Sequence, residues 1–98
     1  MEIVQAAMAG TLESSDLLVK VSPHDEGRLE LVVSSQVMRQ FGGQIRRVAL
    51  ETLARLEVEA GLVVIEDKGA LDCAIRARIQ AAVLRAARCQ ELDWRVLA

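Results

Sequence analysis

The hydrophobic period changes once in this chain, at Ser34-Ser35, and that change dictates most of what it can become. Upstream, Leu17, Val19 and Val21 alternate with Leu18, Lys20 and Ser22, and Leu29, Leu31 and Val33 alternate with Arg28, Glu30 and Val32. A period of two places each set on one face of an extended strand. Downstream, Val37, Phe41, Ile45, Val48, Thr52 and Leu56 recur three and four apart, as on an amphipathic helix, with a serine placed to cap it. The stretch SPHDEG (22–27) between the alternating runs has turn chemistry, so those runs are expected to form an antiparallel hairpin. Residues 2–8 are read as an edge strand.

Further along, Gly42-Gly43 weakens the first helix, each Gly costing about 1 kcal/mol relative to Ala, and a kink or short break is expected there. Gly61 is read as ending that segment. Leu62–Ile65 is an unbroken apolar run suited to an interior strand. Asp67 is placed to cap a second helix whose buried stripe is Leu71, Ile75, Ile79, Ala82, Val83 and Ala86, with Asp72 and Arg76 one turn apart as an ion pair. The order is β-β-β-α-β-α. It predicts an α+β fold, a small antiparallel or mixed sheet with two helices packed on one face. No repeat or linker divides the chain, so residues 1–98 read as a single domain.

Composition narrows the function. At 52% apolar, 98 residues hold enough hydrophobic surface for one core. Phe41 and Trp94 are the only aromatics, too few for a base-stacking platform. A net charge of −2 gives no basic field for phosphate backbones or anionic lipid, so neither nucleic acid nor a membrane is an expected partner. No apolar run reaches the roughly 20 residues of a membrane helix, and no signal-peptide pattern opens the chain, so a cytoplasmic location is expected. Cys73 and Cys89 fall in one helical segment about 24 Å apart at 1.5 Å per residue, beyond disulfide reach, and are read as free thiols.

Catalytic chemistry is poorly supplied. His24, the only histidine, lies in a turn, where a lone histidine is ordinarily solvated. Without further ligands at metal spacing no zinc site is indicated, and a triad of Ser14, His24 and Asp16 has no nucleophile elbow behind it. Cys73 reads as a small core residue. EDKGALD (66–72) reads as strand exit, cap and first helical turn; alternatively, Gly69 lets a ligand approach closely, with Lys68 as an anion partner. Ser14 and Ser15, between Glu13 and Asp16, have the composition of a turn before a strand. A hydroxyl on a presented loop is also what a modifying enzyme requires.

Three blocks carry a resemblance: AGTLESSDLLVKVSP (9–23), SSQVMRQFGGQIR (34–46) and EDKGALDCAIRARIQA (66–81). In order, spacing and total length the chain resembles the acyl carrier protein, or gamma subunit, of citrate lyase. That resemblance implies a carrier with no catalytic residues of its own. It implies phosphoribosyl-dephospho-coenzyme A joined by a phosphodiester to the first serine of LES, Ser14, with Ser15 as the alternative. The terminal thiol would carry acetyl or citryl groups between the CoA-transferase alpha subunit and the lyase beta subunit, during cleavage of citrate to acetate and oxaloacetate. A prosthetic-group transferase and an acetylating ligase are the further partners implied.

A flexible thiol arm would explain why the chain lacks a triad or metal, and tethering would raise the acyl group's effective concentration at both partner sites. Pantetheine carriers built as four-helix bundles hold their serine at a helix start; here it precedes a strand, so a different fold and a dedicated attaching enzyme are expected. Glu13 and Asp16 are expected to make the loop acidic, and replacing both with Lys to block attachment without unfolding. The carrier of malonate decarboxylase, with the same group, and an unmodified assembly or regulatory domain are the competing readings.

Overall fold

The computed structural model describes residues 1–35 and 38–88, the side chains of residues 38–41 excepted. Expectations for Val37, Phe41, Cys89 and Trp94 lie outside the described residues or side chains. The element order is β1 (Ala7–Gly10), β2 (Leu17–Ser22), β3 (Leu29–Ser35), α1 (Met38–Arg55), β4 (Gly61–Asp67) and α2 (Asp72–Ala86). The fold class is the expected one.

The sheet order is β1-β2-β4-β3, with β1 and β4 antiparallel to β2, and β3 parallel to β4. The expected β2–β3 hairpin is therefore split: β4 lies between its two arms. Alternation fixed which face each strand buries but said nothing about its neighbour. The continuous apolar run of β4 is better placed at the centre, where a partner on each side satisfies its backbone. The first strand is also displaced from residues 2–8 to Ala7–Gly10. Before it, the chain crosses the end of α2, where Val4 and Gln5 donate their N–H groups to the Ala86 carbonyl.

Both helices cover one sheet face. Leu17, Val19 and Val21 of β2, Leu31 of β3, and Val63 and Ile65 of β4 are buried beneath them. From α1 come Ile45, Val48, Ala49, Thr52, Leu53 and Leu56; from α2 come Ile75, Ile79, Ala82, Val83 and Ala86. Leu71, expected to begin the α2 stripe, instead sits at the N-cap and is 73% exposed. Among the described residues no helix covers the other sheet face, where Met8 and Val32 are exposed.

Two punctuation signals acted differently from expectation. α1 continues through Gly42-Gly43 without interruption, since the packed face of Ile45, Val48 and Leu53 outweighs the local propensity loss. Glu57, not Gly61, takes the left-handed conformation that ends the helix (φ 57°), and its N–H donates to the Ala54 carbonyl. Gly61 begins β4 instead.

Candidate functional site

The site is the connection from β1 to β2, and it starts at a position only glycine can hold. Gly10 has φ +97°, and a Cβ there would lie 1.9 Å from the Leu17 carbonyl oxygen. This close approach lets the chain fold back on itself, and the Thr11 N–H donates to that same carbonyl at 3.1 Å. Within the loop, Asp16 N–H donates to the Glu13 carbonyl, closing a turn with Ser14 and Ser15 at its corners. Ser15 adopts φ 65°, an uncommon conformation for a residue with a side chain.

Two external clamps hold this turn. The first is backbone: Ser15 N–H donates to the Lys68 carbonyl at 2.8 Å, and Lys68 N–H donates to the Asp16 carbonyl at 2.9 Å. These bonds extend the β2–β4 ladder, whose last register pair is Leu17 with Asp67. The second clamp is ionic. Arg78 of α2 reaches Asp16 through Nε to Oδ1 at 3.1 Å and Nη2 to Oδ2 at 2.9 Å. Thr11 Oγ1 donates to Asp16 Oδ2 and Leu17 N–H to Oδ1. The Arg78 hydrogen bond first, then those from Thr11 and Leu17, hold the Asp16 carboxyl down at about 2.

Ser14 stands exposed at the outer corner of this fixed turn, and its hydroxyl makes no hydrogen bond to another described residue. The hydroxyl is thus open to solvent on a turn held at its base by hydrogen bonds. Ser15 is exposed too, but its N–H is tied to Lys68, just past the end of β4. Glu13 is exposed, whereas Asp16, expected like it to make the loop acidic, is half-buried and accepts the Leu17 N–H. Its side chain is 17% exposed and its charge is matched by Arg78, so exchanging it for Lys would break the loop's anchor. The double exchange therefore no longer separates recognition from folding.

The remaining candidates fall elsewhere. His24 lies beyond the far end of β2 from Ser14, roughly 20 Å away for six extended residues, which removes any triad with Ser14 and Asp16. Its ring is only 10% exposed, and Nδ1 accepts from the Glu26 N–H, so it shapes the turn. Among the described residues no three His, Cys, Asp or Glu side chains gather to hold a metal. Asp67 does not cap α2. It is buried and ties down the segment before the helix, accepting from Gly69 N–H, Ala70 N–H and Ser35 Oγ. Asp72 accepts from Gln44 Nε2 across to α1, the contact found in place of the expected pair with Arg76. Cys73 is exposed, not a core residue.

Sequence reasoning missed Gly10, Thr11 and Arg78 as parts of the site. Gly10 and Thr11 stood in the quoted AGTLESS, and the glycine carried a readable turn signal. Arg78, 62 residues from Asp16, carried none.

Comparison with known proteins gives concordant results. The family model described as malonate decarboxylase delta subunit (MdcD) matches residues 4–86. A citrate lyase acyl carrier protein from Enterobacter sp. strain 638 is 62% identical over 94 residues, 96% of each chain. Another, from Cronobacter sakazakii, is 62% identical over 97 residues and 99% of each chain. Among solved structures, a chain of the Pseudomonas malonate decarboxylase hetero-tetramer in complex with malonate superposes with a TM-score of 0.68 over 86% of both chains, at 23% identity. That likeness concerns the fold alone.

Proposed function

The chain belongs to the citrate lyase acyl carrier protein family, and from that premise we propose that it is the acyl carrier of a citrate lyase, loaded with phosphoribosyl-dephospho-coenzyme A on Ser14. The observation that carries the site assignment is the exposed Ser14 hydroxyl, free of hydrogen bonds to other described residues, on a turn clamped by Lys68 and Arg78. When attached, the group supplies a thiol that bears acetyl or citryl as a thioester.

The chain's own residues present and hold. Gly10, Thr11 and Asp16 shape the turn, so a transferase meets the hydroxyl in one geometry rather than many. The ladder bonds of Ser15 and Asp16 to Lys68 fix the base of the arm to the sheet. The body of the fold is then a handle, swinging one tethered group between the CoA-transferase and lyase subunits at high effective concentration. Identity of 62% to named citrate lyase carriers favours this enzyme over malonate decarboxylase, for which the structural likeness lies at 23%.

Intact mass spectrometry after co-expression with the attaching transferase tests the assignment. The wild-type chain and Ser15→Gly, which relieves the left-handed strain, should gain the prosthetic mass; Ser14→Ala should not. Mass gained by Ser14→Ala and mapped to Ser15 would move the site. Turnover with citrate lyase but not malonate decarboxylase partner subunits checks the enzyme.

A further inference from the structure

We propose that the groove between α1 and the β4–α2 loop receives the acyl end of the arm carried on Ser14, and that it admits a neutral acyl group while excluding an anionic one. The inference rests on the function just given and deepens it. The groove encloses about 610 Å3, within the range of small-molecule sites, and its walls include Ile45, Ala70, Leu71 and Ile75. Leu71 is 73% exposed at its rim, an aliphatic side chain left in water beside an apolar concavity.

Three observations favour the arm as occupant. The groove lies next to the attachment turn along the chain: Lys68 clamps Ser15 and Asp16 through its backbone, and the next residue, Gly69, lines the groove. Gly69 holds φ +91°, and the space where a Cβ would project is open. A group tethered at Ser14 therefore meets this concavity at high effective concentration. Second, Lys68 is half-buried beside the clamp and makes no ion pair with another described residue, so its cation is available to an anionic group close to the turn. Third, the charged side chains among the described lining residues are Asp67 and Asp72, both carboxylates.

Those carboxylates set the selectivity. Asp67 is held in place by Gly69, Ala70 and Ser35, and Asp72 by Gln44, so neither swings away readily. A neutral acetyl thioester enters among the apolar walls without electrostatic cost. A citryl group brings its own carboxylates against two fixed ones and is repelled. The groove thus shelters the resting acetyl form from water and leaves the citryl form free for the cleaving subunit.

Cys73, exposed and lining the groove, reports occupancy directly. In a Cys89→Ser chain, alkylation of Cys73 by iodoacetamide is followed by intact mass in unmodified, acetyl-loaded and citryl-loaded protein. Occupancy of about four-fifths would slow alkylation about fivefold in the acetyl form. The citryl form should react at the unmodified rate. Leu71→Asp, placing a third carboxylate on an exposed rim, should abolish the protection, with its melting temperature reporting the fold. Equal rates in acetyl-loaded and unmodified chains would overturn the groove's occupancy, and equal protection by citryl would overturn its selectivity. Either failure leaves the carrier function standing, because loading at Ser14 is read separately by mass. Failure to load Ser14 would overturn both.

Discussion

Arg78 and Asp16 form a two-point ion pair across 62 residues of sequence, joining the second helix to the turn that presents Ser14. Each guanidinium nitrogen meets a different carboxylate oxygen, so the pair fixes orientation as well as distance. Asp16→Asn or Arg78→Ala should lower stability by about 1–2 kcal/mol, the guanidinium being 41% exposed and partly screened. Thermal denaturation measures that loss. Slower prosthetic-group attachment to a chain that remains folded at the assay temperature would show the turn losing its shape.

The same pair sets an acid limit. The Asp16 carboxyl is lowered from 3.8 to about 2, chiefly by the Arg78 hydrogen bond, then by Thr11 and the Leu17 N–H. A depressed folded-state value stabilises the fold above the ordinary carboxylate range, and the gain disappears as pH falls from about 4 through about 2. Denaturant titrations across that window should show the wild type losing about 1–2 kcal/mol more than Asp16→Asn. Parallel profiles for the two proteins would contradict the assignment.

Gly10→Ala should be among the most damaging single changes in the chain. It forces a Cβ against the Leu17 carbonyl at φ +97°, costing about 2–5 kcal/mol from strain and clash together. Gly27→Ala is the matched control: φ is +66°, but no atom lies within 4 Å of the new Cβ, so about 1–2 kcal/mol is expected. Urea unfolding of the two variants compares them directly.

Asp67→Ala removes a buried carboxylate that satisfies two backbone N–H groups and the Ser35 hydroxyl. A loss of about 1–3 kcal/mol should follow, because the Gly69 and Ala70 N–H groups lose their acceptor and the loop loses its anchor. Hydrogen exchange at Gly69 and Ala70 should accelerate before the core strands respond. Unchanged exchange there would mean that the loop does not depend on this side chain.

Much of this architecture was legible in one sequence, because hydrophobic period reports which face an element buries. Leu17, Val19 and Val21 read as a buried face and are one; Ile75, Ile79, Ala82, Val83 and Ala86 likewise. Period does not report neighbours. The insertion of β4 between β2 and β3 arises from competition among strands for central positions, and no local pattern encodes the winner. Asp67 read as a helix cap because a strand exit and a helix entry share residue types; what separates them is the four-residue spacer before Asp72. Glu57 taking φ 57° was hidden for another reason: an ordinary side chain occupied a place where glycine is the usual marker. At the site, the serine turn was visible and Arg78 was not, since a contact across 62 residues leaves no trace in spacing.

The split pairing of β2 and β3 has a consequence for synthesis. The serine turn is shaped by Lys68 and Arg78, which follow Ser14 by 54 and 64 residues and so leave the ribosome well after it. Until residues 68 and 78 have been made, the segment that carries Ser14 has neither of its two clamps and stays an unshaped tether.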